Sequence, residues 1–157
     1  MRKKILLFII VALAIIGVIV YINMNSDDNM GGIRYTPDSQ EPWNEHLEGD
    51  NGSGGIKIPG FGKLYFQSGT KKVQMTLANP SDNDCYFIYT LHLNDPDGEI
   101  IYTSDKVAPG MALYDLTIIR PLDVGEYTMY IHVAPYSSDG KQLNAALLKA
   151  PLTVMGN

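Results

Sequence analysis

Hydrophobic and polar positions are distributed along this chain in three different ways, and each implies a different kind of segment. From Ile5 to Ile22 the residues run without a single charge. At about 1.5 Å per residue, a helix of that length reaches roughly 27 Å, close to the thickness of bilayer hydrocarbon. A transmembrane helix is therefore expected over 5–22. Residues 23–55 show no apolar periodicity. From 56 to 157 the chain breaks into short runs of period two, separated by turn residues about every ten positions, which is the pattern of an all-β sandwich or barrel.

The runs predict strands over 62–67, 71–78, 85–94, 99–104, 112–119, 126–136 and 142–155. In the second, Val73, Met75 and Leu77 alternate with Gln74 and Thr76, so one face is buried and the other wet. In the third, Cys85, Phe87, Tyr89, Leu91 and Leu93 share one face, while Tyr86, Ile88, Thr90 and His92 share the other. That strand is expected to be central. Asp95-Pro96-Asp97-Gly98 reads as a turn in which Pro presets φ and Gly supplies a positive φ. Ala108-Pro109-Gly110 and Ser137-Ser138-Asp139-Gly140 read as further turns. Within the last run, 144–149 could instead form a helical turn, because Ala and Leu favour helix.

Charge orients the apolar segment. Arg2, Lys3 and Lys4 precede it, and Asp27 and Asp28 follow with no base before Arg34. The positive-inside rule then leaves residues 1–4 as a cytoplasmic stub and sends the rest of the chain out of the cytoplasm, at the cell membrane as a single-pass signal anchor. Cleavage after Ala12-Leu13-Ala14 is the competing reading, but it would strand 15–22 as an apolar remnant. A lipoprotein anchor would need a Cys just after the apolar run, and the sole Cys is Cys85. No intrachain disulfide is possible, and Cys85 is expected to be a buried small hydrophobe.

The stretch 23–55 carries seven acids against one base. Such a composition buries too little surface to offset the entropy of ordering it, so it reads as a flexible linker that holds the domain on the order of 30 Å from the membrane. Tyr35, Trp43, His46 and Leu47 interrupt it, and they could dock on the domain or on a partner.

One local motif narrows the fold. Leu122-Asp123-Val124-Gly125-Glu126-Tyr127 resembles the tyrosine corner of fibronectin type III and other immunoglobulin-like domains, with Leu122, Gly125 and Tyr127 in the motif positions. The resemblance implies a seven-stranded immunoglobulin-like sandwich over 56–157. It also implies that the Tyr127 hydroxyl returns to the backbone a few residues upstream while its ring packs in the core. Antibody-type domains pair two Cys across the sheets around a Trp. Here Cys85 is alone and Trp43 lies outside the strands, which favours the disulfide-free branch. The overall plan resembles small single-span exported bacterial proteins with such a sandwich, and it implies architecture rather than function.

Candidate chemistry changes the picture mainly by exclusion. His92 and His132 have no third ligand at a metal-binding spacing, and Asp82, Asp84, Asp95, Asp97 and Glu99 suit turns as well as they suit calcium. No nucleophile–base constellation or phosphate-cradling loop is found, so no enzyme activity, cofactor or metal is expected. With eight Lys or Arg against ten Asp or Glu over 56–157, there is no basic field for nucleic acid. The remaining signal is Tyr, ten in all. If the third and penultimate strands are neighbours, Tyr86, Ile88, His92, Tyr130 and His132 share one outer face. Tyr combines contact area with a hydroxyl at low entropy cost, so this face is the expected contact surface for a protein or glycan at the cell envelope, although β-propensity alone would also place such residues on strands. Two other readings stay open. The chain could be a structural subunit of an envelope membrane complex, or an inhibitor-like domain acting through the loop 79–84 or 95–98.

Overall fold

The computed structural model describes residues 39–45 and 55–156, all within the compact unit Pro37–Asn157. The expected membrane helix over 5–22 and most of the linker lie outside the described residues. Among the described residues no helix is long and apolar enough to cross a membrane.

The described chain is all β, in eight strands: β1 (Glu41–Pro42), β2 (Leu64–Gln67), β3 (Lys72–Asn79), β4 (Tyr86–Leu93), β5 (Glu99–Thr103), β6 (Met111–Thr117), β7 (Gly125–Tyr136) and β8 (Ala146–Met155). They form two sheets. One has the order β1-β6-β3 and the other β2-β8-β7-β4-β5. The sheets enclose one core, to which the smaller contributes Val73, Met75, Leu77, Leu113 and Leu116 and the larger Phe87, Tyr89, Leu91, Met129, Ile131 and Leu152. Period-two alternation dictates which residues enter it. Along β4, Phe87, Tyr89, Leu91 and Leu93 are buried and their neighbours are not. Cys85 joins the same cluster, and burial, with Asp84 beside it, pushes its thiol above the ordinary range.

A buried side-chain hydrogen bond ties the two sheets together. The Tyr89 hydroxyl, wholly buried on β4, donates to the Ala78 carbonyl on β3 at 2.7 Å. Burial pushes this phenol well above its usual range, so it remains a donor.

The structure resolves the alternative over 144–149 to strand, keeps β4 interior as expected, and departs from the sequence pattern at the 95–98 turn and in β5. Residues 144–149 do not form a helical turn. Ala146 onward is strand, with Ala146–Val154 paired antiparallel to β7, and Gln142 makes only an isolated bridge to Tyr136. Propensity for helix is overruled because Ala150, Leu152 and Val154 alternate into the core. The turn at 95–98 closes without a positive φ at Gly98. Asn94 takes φ +64° instead, and Gly98 is required because a Cβ there would stand 2.9 Å from the Asp95 Cβ and 3.0 Å from the Leu93 carbonyl oxygen. A register shift between β4 and β5 inserts an extra residue, so that Ile101 and Tyr102 are both buried where strict alternation would expose one. Finally, β4 is an interior strand flanked by β7 and β5, while the middle of the larger sheet is β7.

Residues 39–45, inside the stretch read as a linker, contribute β1 and the buried Trp43 to the smaller sheet. β1 pairs with β6 through Glu41↔Ala112 and Pro42↔Met111. The Gln40 amide bridges the Lys106 carbonyl at 2.8 Å and the Ala108 N–H at 3.0 Å, and the Trp43 N–H donates to the Gly110 carbonyl at 2.9 Å. The indole covers Ala78 and Ala112 beside Tyr114, and only 5 % of Trp43 is exposed. Two alanines side by side leave a flat floor on which a large ring can lie.

Candidate functional site

The face to consider is the outer side of the larger sheet, whose residues are placed by strand register. β4 and β7 run antiparallel over eight paired positions, from Tyr86↔Tyr136 to Leu93↔Met129. Because Phe87, Tyr89 and Leu91 point into the core on β4, and Met129, Ile131 and Val133 do so on β7, the intervening residues point away from it. Tyr86, Ile88, His92, Tyr130 and His132 are thereby brought to one surface. Tyr86 is 37 % exposed, and the other four are half-buried by their neighbours.

Register extends this surface across the sheet. His92 lies opposite Tyr130 on one side and Ile100 of β5 on the other, and Tyr130 faces Lys149 of β8. One step along, Thr90 lies opposite His132, which faces Leu147. Ile100 and Leu147 are large apolar side chains that are about half exposed, at 41 % and 52 %. Sequence reasoning missed both. Ile100 sits before the bulge that breaks alternation in β5, and Leu147 lies in the run whose composition also suited helix. A strict parity count backward from Leu152 and Ala150 puts Leu148 inward and Leu147 outward, on the face it shares with His132.

The rest of this surface is held by ordinary contacts. A ring nitrogen of His92, Nδ1, lies 3.1 Å from the Gly98 carbonyl, which ties the ring to the β4–β5 turn. Lys106 places its ammonium 5.9 Å above the Tyr136 ring. His92 and His132 lie on neighbouring strands but gather no further ligand. Among the described residues no group of three or more His, Cys, Asp or Glu is placed to hold a metal ion. His46 lies outside the described residues.

At the tyrosine-corner motif, the Tyr127 hydroxyl donates to the Asp123 carbonyl at 2.9 Å. Leu122 is buried, and the Tyr127 ring packs partly against the core cluster. A Cβ at Gly125 would meet that ring at 3.4 Å, at the close edge of ordinary van der Waals contact.

The two loops considered for an inhibitor-like role are built differently. In 79–84, Asn79 and Asn83 are buried and spent on internal bonds. The Asn79 amide donates to the carbonyls of Cys85 and Val107, and the Asn83 amide donates to the Lys57 carbonyl and to Asn79 Oδ1. This network holds residue 57 against the loop, helped by the Lys57–Asp82 ion pair at 2.8 Å. In 95–98, the Asp97 N–H donates to Asp95 Oδ1, an Asx turn that occupies the carboxylate locally.

No protein-family model, curated protein or solved structure matches this chain.

Proposed function

We propose that this chain is a membrane-anchored binding module whose immunoglobulin-like domain stands outside the cytoplasm and contacts a protein partner through the outer face of the larger sheet. The fold reading is supported by the sheet order, by the neighbouring of β4 and β7, and by the Tyr127–Asp123 bond. The anchor and its orientation rest on the charge-free run at 5–22 between Arg2-Lys3-Lys4 and Asp27-Asp28. The observation that carries the binding reading is the row Ile100–His92–Tyr130, ending on Lys149 and flanked by Tyr86, Ile88 and Leu147, on a face whose middle presents aromatic and aliphatic area. Interface cores are depleted in charge and enriched in aromatics, and such a face suits a macromolecular surface.

The test places the photo-cross-linking residue benzoylphenylalanine at position 86, 130 or 97 of the full-length protein in intact cells. Discrete protein adducts are expected from 86 and 130 and not from 97. Tyr86→Ala and Tyr130→Ala should then weaken the purified partner by roughly 2 kcal/mol each, about 30-fold, with the unfolding midpoint held. Adducts from 97 alone would move the contact to the loops, and adducts from none of the three would remove the face as a binding surface.

A further inference from the structure

Residues 39–45 join the domain from outside its periodic strands, and they hold on at few points. β1 has two ladder positions, against eight between β4 and β7 and nine between β7 and β8. Pro42 brings no N–H to its pair with Met111. Beyond the ladder, the Gln40 amide reaches the Lys106 carbonyl and the Ala108 N–H, the Trp43 N–H reaches the Gly110 carbonyl, and the indole lies on Ala78 and Ala112. We propose that these residues form a strap, which releases the edge of β6 and docks again while the two sheets stay folded.

Three observations support a separate opening. Fixing the backbone of one residue costs about as much as one net hydrogen bond contributes, so a short segment held by a few bonds and one ring lies near balance. Docking also carries a penalty that the open strap escapes. Trp43 Nε1 is buried without an acceptor, the only buried side-chain nitrogen or oxygen so placed among the described residues, and in the open strap water meets this N–H. Finally, the docked ring belongs to a cluster of its own. Trp43, Ala78 and Ala112, with Tyr114 against them, stand apart from the main core between the sheets, so release withdraws no side chain from that core. The receiving side stays tied as well, because the Gly110 N–H donates to the Asn79 carbonyl and the Met111 N–H to the Ala108 carbonyl.

Opening has two consequences. It uncovers the edge of β6, which the strap otherwise shields from pairing with another strand, together with the alanine shelf. On the reading that 5–22 anchors the chain, it also lengthens the stretch between anchor and domain from 23–38 to 23–54. The greatest span of that stretch then rises from about 55 Å to about 110 Å. The opening itself depends neither on the anchor nor on the aromatic face, so its test leaves both readings standing or falling on their own.

The test is amide hydrogen exchange followed by NMR on the full-length protein in detergent micelles. Two amides report the strap from its two sides, since the Trp43 N–H donates to Gly110 and the Ala108 N–H donates to Gln40 Oε1. Both should exchange together, slowed only about 30- to 100-fold relative to free peptide, while Gly110 and the β4–β7 ladder are slowed about 10⁴-fold or more. Tyr127→Phe, which lies away from the strap and weakens the domain, separates local from global opening. It should speed exchange in the ladder about fivefold and leave Trp43 and Ala108 unchanged. Strap amides as slow as the ladder, or accelerated with it by Tyr127→Phe, would show that the strap opens only when the domain unfolds and would overturn the proposal. Free-peptide rates at both strap amides, or different rates at the two, would overturn it as well.

Discussion

Removing the indole of Trp43 tests whether residues 39–45 are part of the folded domain or merely pass beside it. The ring is 5 % exposed over Ala78 and Ala112. A Trp side chain buries on the order of 200 Å², which at about 25 cal/mol per Å² is roughly 5 kcal/mol, of which Ala would retain about 1. The gross loss is offset, because the indole Nε1 is buried without an acceptor among the described residues, and an unmet donor costs about 1–3 kcal/mol. Trp43→Ala should therefore destabilise the domain by about 2 kcal/mol, which shifts the urea midpoint down by roughly 1 M. Trp43→Phe keeps most of the area and deletes the unmet donor, so it should cost less than about 1 kcal/mol. Circular dichroism in urea reads both variants, and the emission of this sole Trp reports the wild type, blue-shifted when native and red-shifted on unfolding. A Trp43→Ala midpoint equal to wild type, together with solvent-like emission from the native protein, would refute the docking of this segment.

Two further outcomes follow from single contacts. Tyr127→Phe deletes the bond to the Asp123 carbonyl but keeps the ring, so a loss of about 1 kcal/mol in urea unfolding is expected, and an unchanged midpoint would deny that bond any part in stability. Glu99 accepts from Arg120 Nε at 2.8 Å and Nη2 at 2.6 Å, which holds its carboxyl below the usual range. A depressed folded value means the stabilisation is complete above the unfolded value of about 4.3 and lost as pH falls through the folded one. Glu99→Gln should thus show a smaller drop in urea midpoint than wild type between pH 7 and pH about 3.5, and the difference should shrink in high salt because the pair is exposed. Equal pH dependence in the two proteins would mean the pair is not formed in solution.

Much of the β-domain was legible along the chain because a strand with one wet face writes its orientation into every second residue. Phe87, Tyr89 and Leu91, and on the later strand Met129, Ile131 and Val133, are inward by that parity alone, and so Tyr86, Ile88, His92, Tyr130 and His132 are outward. The aromatic face needed one thing more, the pairing of β4 with β7, which the resemblance of Leu122–Tyr127 implied and periodicity could not. What only the tertiary structure decided lies where local pattern is silent or misleading. Trp43 sits in an acidic stretch without periodicity, and its burial depends on Ala78 and Ala112 meeting across two strands far from it in sequence. Leu147 belongs to strand rather than helix because β7 offers it a ladder. Gln67, Gln74 and Asp115 line one groove because β2 and β3 each end a different sheet, although no motif links them. Periodicity is a property of neighbours along the chain. Sheet edges, bulges and concavities are properties of which strands meet, and that is settled by packing the whole core at once.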